Sequence, residues 1–273
     1  MIRDSFKQGW RLITHEAHAH LAGKFARHWK NDQFEPPMPF THVLDAIRRH
    51  DDSWITRDSH PEITKDGLPS AFSSSLVGQY EAFEEISLEP YLEVRKQATK
   101  QARKRDPYAA VLISMHTVNL LTEQADLSTL NEEQRSLHSE FINDQRSIQT
   151  AIKKDIRDNT IFNGYASDQD FQRAFEFLQA CDSLSLFVCV DYDESTPLRH
   201  EHPRNVGDPV QIVYERVGSE TYSCEPWPFD ERELSLTIPY RYISQRAFDD
   251  AESFRQEYHD AAVRKRNITL LAD

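Results

Sequence analysis

Residues 43–54 read VLDAIRRHDDSW, and the spacing inside this stretch sets the terms for the whole chain. At helical spacing Val43, Ile47, His50 and Trp54 share one face, with Asp51 beside them. An imidazole and a carboxylate therefore stand together at the end of an otherwise apolar stripe. Burying an unpaired carboxylate is strongly unfavourable, so Asp51 needs a partner, and a metal ion shared with His50 is one natural choice. The plainer reading is that the pair ends a helix and faces water. A single His-Asp pair favours the plainer reading; other helices that place a lone His or Asp on a buried face tilt the balance back.

Upstream, residues 16–29 form the first clear helical pattern, with His18, Leu21, Ala22, Phe25 and Trp29 on its apolar face. His18 is the inward member of the HEAHAH cluster, because alternating spacing on a helix spreads the others around the axis. His15 and His20 are assigned to the solvent side. Residues 1–14 include the alternating stretch GWRLIT, read as a short edge strand. Residues 31–40 contain EPPMP, which stops the first helix, and Thr41 is the expected N-cap of the next. Residues 56–75 are rich in turn formers and carry His60; loops of this length often serve as lids or binding loops.

Downstream, helical pattern resumes and breaks near Pro90 and again at Asp106-Pro107. The basic run at 96–105, KQATKQARKR, reads as a solvated helix face ahead of a phosphate-binding patch. Residues 108–121, YAAVLISMHTVNLL, are nearly continuously apolar and suit a central buried helix carrying His116. His116 reads equally as a core histidine bonded to a backbone carbonyl and as a site residue. Residues 131–157 are amphipathic, with Leu137, Phe141, Ile148, Ile152 and Ile156 inward and Gln145 able to bond a neighbour; His138 is assigned to the surface. Ser167 and Asp170 open the next helix as a capping box. Asp182 lies midway along its stripe of Phe171, Phe175, Leu178, Ser185, Leu186 and Cys189. No basic residue lies within a turn of it on that helix, so the carboxylate calls for a cation from elsewhere.

Beyond residue 206 the period changes to two in QIVYERV, TYSCE and ELSLTIPYRYI, which indicates a small antiparallel sheet or pair of hairpins. Residues 247–266 read as a highly charged helix, and the closing NITLLAD as a segment that docks back. The chain of 273 residues is ample for one large domain or a domain with an appendage. Its 7 glycines fall well below the usual share of about 7%, which favours long helices over a turn-rich β fold. A net charge of −13 argues against a nucleic-acid-coating role. Apolar runs are far shorter than the roughly 20 residues that span a bilayer, and the first ten residues lack a secretory core. Mean hydropathy is −0.68. Cys181, Cys189 and Cys224, odd in number and without ligand spacing, suit reduced thiols in a cytoplasmic protein.

In chain order the inward polar groups are His18, His50, Asp51, His116 and Asp182. That order resembles the HD superfamily, with an early helical His, the His-Asp doublet and a distant Asp. The resemblance implies metal ligation by His18, His50, Asp51 and Asp182 inside an orthogonal helical bundle. A closer resemblance is to the family of unknown function 3891. It is carried by ITHEAHAHLAGKFARHW, AIRRHDDSW, DPYAAVLISMH, the helix with Phe141 and Gln145, CDSLSLFVCV and PWPF. The expected architecture is mainly α: an HD-like orthogonal helical bundle over residues 1–200 and a small antiparallel β appendage with a C-terminal helix over 201–273.

The donor set suits Mn, Fe, Co or Zn better than Mg. The leading expectation is a metal-dependent hydrolase of a small phosphorylated or nucleotide-like substrate, with Asp51 accepting a proton from water and His116 holding a substrate oxygen. Partners beyond the small molecule are not expected to include nucleic acid or membrane; an oligomer is possible. Some nucleotide-cleaving HD enzymes carry a Glu one turn past the doublet. Here Asp52, Ser53 and Trp54 occupy that turn, so no acid is assigned and Trp54 is read as core or pocket wall. An HD-type di-iron oxygenase is the second expectation, with His60 and His116 as second-metal or substrate groups, and a non-catalytic metal-containing binding protein the third.

Overall fold

A computed structural model describes residues 1–77 and 87–272, with Gln124 described in its backbone only. The chain opens with a hairpin of β1 (Ile2–Phe6) and β2 (Gly9–Ile13). Helices α1 (His15–His28) and α2 (Phe40–Arg49) follow, then a single helical turn at Ile55–Asp58. Four long helices come next: α3 (Leu88–Arg105), α4 (Pro107–Asn119), α5 (Glu132–Arg157) and α6 (Asp168–Cys189). The last part holds β3 (Thr196–His202), β4 (Val210–Gly218), β5 (Thr221–Glu225), β6 (Glu233–Ile243), α7 (Ala251–Asp260) and β7 (Val263–Leu271).

Local chemistry accounts for the helix boundaries. Thr14 caps α1 by accepting from the Ala17 N–H, and Asp106 caps α4 by accepting from Tyr108 and Ala109, with Pro107 in the first turn. Asn131 with Gln134 and Ser167 with Asp170 form reciprocal capping boxes on α5 and α6. α2 starts one residue before the expected cap, with Pro39 in that position. Part of the helical pattern expected after Ser75 lies at 78–86, outside the described residues.

The seven strands form one curled half-barrel sheet in the order β1-β2-β6-β7-β5-β4-β3, with β5–β7 parallel and every other pair antiparallel. The fold is mixed α/β, and this overturns the expectation of a mainly α, HD-like orthogonal bundle with a small β appendage. The reason is non-local pairing. β2 is not an edge strand: it pairs with β1 on one side and with β6 on the other, through Trp10↔Ile243 and Leu12↔Arg241. β7 lies inside the sheet; its first residues, 263–266, were expected to end a charged helix and the closing NITLLAD to dock back. Its inward positions Arg266, Ile268 and Leu270 alternate, but an arginine at one of them breaks the apolar pattern.

Gly9 makes the β2–β6 junction possible, because a Cβ there would stand 1.9 Å from the Ile243 carbonyl oxygen. One apolar core joins α1, α2, α4 and α6 to the inner face of the sheet through Phe25, Ile47, Leu112, Leu178, Tyr214 and Ile268. Arg266 of β7 reaches across this contact and donates to the Val188 and Cys189 carbonyls at the C-terminal end of α6. The same guanidinium contacts Glu220 and Tyr222, and Arg11 donates to Asp4 and Glu220 beside it. No described helix is long and apolar enough to cross a membrane.

Candidate metal centre

The helix that carries the doublet does not run through it. α2 ends at Arg49, His50 is its C-cap, and Asp51 takes φ −114° and ψ 13° before a 3-10 turn over Asp52–Trp54. That sparsely populated conformation recurs at active sites. His50 and Asp51 are both buried, at 0% and 5% exposure. α1 brings His18, α4 brings His116 and α6 brings Asp182, all buried, and these three helices pack against one another or against α2.

The five side chains form two overlapping groups that could hold a metal ion: His18 with His50 and Asp51, and His50 with His116 and Asp182. Within each group the ligand atoms lie within 4.8 Å of one another. His18 Nε2 is 3.0 Å from Asp51 Oδ2, His50 Nε2 is 3.2 Å from Asp182 Oδ1 and 3.6 Å from Asp51 Oδ2, and His116 Nε2 is 3.8 Å from Asp182 Oδ2.

Hydrogen bonding on the far side of each ring decides what those nitrogens offer. His50 Nδ1 lies 2.8 Å from the Ile47 carbonyl, which only accepts, so Nδ1 carries the proton. Ser185 donates its hydroxyl to the Asp182 carbonyl, so its oxygen accepts from His18 Nδ1 at 2.9 Å. In their neutral forms both rings therefore turn an Nε2 lone pair toward carboxylate oxygens. Among the described residues, neither His50 Nε2 nor His116 Nδ1, both buried, has a hydrogen-bond partner. Lone pairs facing lone pairs repel unless a cation lies among them. Outer N–H groups held by a carbonyl and a hydroxyl are the usual setting of metal-ligating histidines. The donor set thus fits a divalent transition metal.

One guanidinium balances part of the charge in the cluster. Arg95, buried on α3, donates from Nη1 to Asp51 Oδ1 at 2.9 Å, with its plane over the Trp54 and Tyr91 rings. Asp182 has no lysine or arginine within ion-pair distance among the described residues; its partners there are the imidazoles of His18, His50 and His116. Burial alone would hold His50 neutral, but the Asp51 and Asp182 carboxylates outweigh it and raise its pKa to about 9. Burial works against both carboxylates. The His50 charge nevertheless holds Asp182 down at about 2, and His50 with Arg95 holds Asp51 well below the usual range. Burial pulls His116 down to about 3, against the Asp182 charge, so this ring is neutral. A proton on His50 then supplies positive charge between the two carboxylates.

His18, His50, Asp51, His116 and Asp182 thus come together. His60 does not: it is exposed, and among the described residues it bonds Ser59 and Thr56. Its loop is pinned instead to the N-terminal strand, where the Arg3 N–H donates to the Phe72 carbonyl at 2.7 Å. Trp54 is buried beneath the doublet between Tyr91, Arg95 and His15. His15, assigned to solvent, is only 17% exposed and bonds Asp58, because the turn at Ile55–Asp58 folds back over α1. His138 is also buried, bonded to the Leu121 carbonyl. Gln145 accepts from Thr99 and Ser114 as expected of an inward amide.

Arg95 escaped the sequence reading because it adjoins the solvated basic run, although its spacing from Tyr91 and Leu92 was a usable signal. A cleft of about 570 Å³, lined in part by Trp29, Pro36, Phe177, His202 and Arg204, lies apart from the cluster, and none of the five residues lines it. Size and chemistry disagree here, and the unbalanced carboxylate weighs more than cleft volume.

A family model described as "Protein of unknown function (DUF3891)" matches residues 1–245. No curated protein matches, and no solved structure matches. The narrower of the two resemblances in the sequence is thereby shown, whereas nothing links the chain to the HD superfamily.

Proposed function

The chain belongs to the DUF3891 family, and we propose from its own side chains that it is a metal-dependent hydrolase acting on a small phosphorylated or nucleotide-like substrate. The reading is carried by one observation: two imidazole Nε2 lone pairs and two carboxylates converge in a buried space where, among the described residues, Arg95 is the one fixed countercharge within ion-pair distance. His18, His50, Asp51 and Asp182 would hold the ion, with Mn, Fe, Co or Zn suited to this mixed donor set. Such an ion polarises a phosphoryl oxygen and makes water acidic enough to yield a nucleophile near neutrality.

The chain's own groups do the rest. Arg95 keeps Asp51 ionised and in place by occupying its outer oxygen. Ser185 and Ile47 fix the ring orientations of His18 and His50. His116, held neutral, has one ring nitrogen near Asp182, and among the described residues the other has no hydrogen-bond partner, which suits the ring to hold a substrate oxygen.

The test is metal analysis of protein purified without added metal, followed by assay of phosphomonoesters with each candidate ion. One tightly held ion per chain and metal-dependent phosphate release are expected. An absence of uptake, or of release with every ion tried, would discard the reading. One observation favours a second form: His50 belongs to both groups, so two ions could share the five residues, and a stoichiometry near two would turn attention to di-iron oxidation chemistry. His60 has no part in that form.

A further inference from the structure

β3, which packs on the helix that bears Asp182, carries a local irregularity. Its pairing with β4 slips between Pro197 and Glu201, and His200 takes a left-handed φ of 66°. Successive residues of a regular strand point to opposite faces, whereas a bulge can turn two neighbours to the same side and recurs beside active sites. Arg199 and His200 both reach the helices. Arg199 Nη1 donates to Asn119 Oδ1 at 3.1 Å, and the His200 ring lies 2.5 Å from Gln179 Oε1. Gln179 in turn donates to the same Asn119 oxygen at 2.6 Å.

The two helical partners locate the arginine. Asn119 is three residues beyond His116 on α4, and Gln179 is three residues before Asp182 on α6. Three residues of helix advance about 4.5 Å, so Arg199 sits one turn from two of the clustered side chains, on the two helices that bear them. A π-helical segment over Leu120–Gln124 starts at the next residue after Asn119, a departure often found at functional sites.

Arg199 is half-buried, yet it lies within ion-pair distance of no carboxylate among the described residues. Among the described residues its side chain makes one hydrogen bond, to a neutral amide oxygen, which leaves Nε and Nη2 as an open fork. Asp182 and Glu123 act on it only at longer range, and burial lowers its pKa. A half-buried guanidinium with a free edge is suited to a bidentate oxyanion.

We propose that Arg199 binds the phosphoryl group of the substrate, its free edge taking two phosphoryl oxygens one helical turn from the metal-ligating side chains. This deepens the hydrolase reading and rests on it for the identity of the site: it narrows the substrate to one with a terminal phosphate. The bulge at His200 is the device that aims the arginine, and Asn119 with Gln179 holds it there. The three residues are binding and positioning groups, and none of them ligates the metal.

The test titrates inorganic phosphate, with acetate for comparison, into metal-loaded and metal-stripped protein, using the unaltered chain, Arg199→Ala and Arg199→Lys. Metal content is measured on each. The unaltered chain is expected to bind phosphate ahead of acetate, Arg199→Ala to weaken it at least tenfold with metal content unchanged, and Arg199→Lys to fall between. Should Arg199→Ala fail to fold, Arg199→Lys alone decides by a several-fold loss. Unchanged phosphate affinity in the variants, no phosphate binding by either form of the unaltered chain, or a parallel loss of metal would overturn the proposal. If the unaltered chain takes up no metal, the hydrolase reading fails by itself. The stripped-protein titration then still decides whether Arg199 is an oxyanion site.

Discussion

Asp182 concentrates the chemistry of this molecule at the residue scale, since it is a buried carboxylate whose described ionic partners are all imidazoles. Asp182→Ala is expected to abolish metal uptake, and elemental analysis showing full metal content would remove it from the ligand set. His20→Ala is the matched control: it lies off the inward face of α1, away from the cluster, and should leave metal content unchanged. A second residue-scale prediction concerns Asp191, beyond the end of α6. Burial raises its pKa, but bonds from Arg216 and Tyr222 and the charge of Arg266 outweigh that and leave it lowered. A folded pKa below the unfolded one means that the contribution is complete above the unfolded value of about 4 and fades as pH falls through the folded one. Asp191→Asn keeps the side-chain shape and tolerates the left-handed φ of 50°. It is expected to cost about 1 kcal/mol at pH 7, since the site is partly solvated, with the difference shrinking in denaturant melts as pH drops below about 4.

At the scale of elements, the join between β2 and β6 is the narrowest fit. A methyl group on Gly9 would press into the Ile243 carbonyl, which is backbone and cannot swing aside. Gly9→Ala should destabilise the protein by roughly 1–3 kcal/mol, the usual cost of overpacking. An unchanged melting temperature would mean that the hairpin tolerates separation from β6. Helix α4 shows how far local pattern reaches. Its apolar run and the break at Asp106-Pro107 before it were readable from composition and spacing, and its burial follows. The break between α2 and the 3-10 turn was not readable, because a helical periodicity continues smoothly through Trp54 while the backbone does not.

For the whole molecule, the proposed ligands come from residues 18 to 182, so an ion bound by them ties together segments that are distant in sequence. A ligand that binds the folded state and not the unfolded one raises stability in proportion to the logarithm of its excess over Kd. Thermal melts of stripped protein should therefore rise by several degrees with Mn, Fe, Co or Zn at about 100-fold excess over Kd, and much less with Mg. No rise with any of the four would count against a metal centre. The sheet supports this arrangement from behind, with Arg266 of β7 tied to the C-terminal carbonyls of the helix that bears Asp182.

From its residues alone, this chain determined the positions of its main helices, the burial of His18, His50, Asp51, His116 and Asp182, and its likeness to the DUF3891 family. Those features are local: side chains recurring at a helical period, caps, and polar residues stranded on apolar faces. Tertiary structure alone decided the seven-stranded sheet, the salt bridge from Arg95, and the hydrogen bond from Arg199 to Asn119. Each depends on partners far apart along the chain. A strand such as β7, with an arginine in an inward position, shows its period only once its neighbours and the acceptors of that arginine are in place.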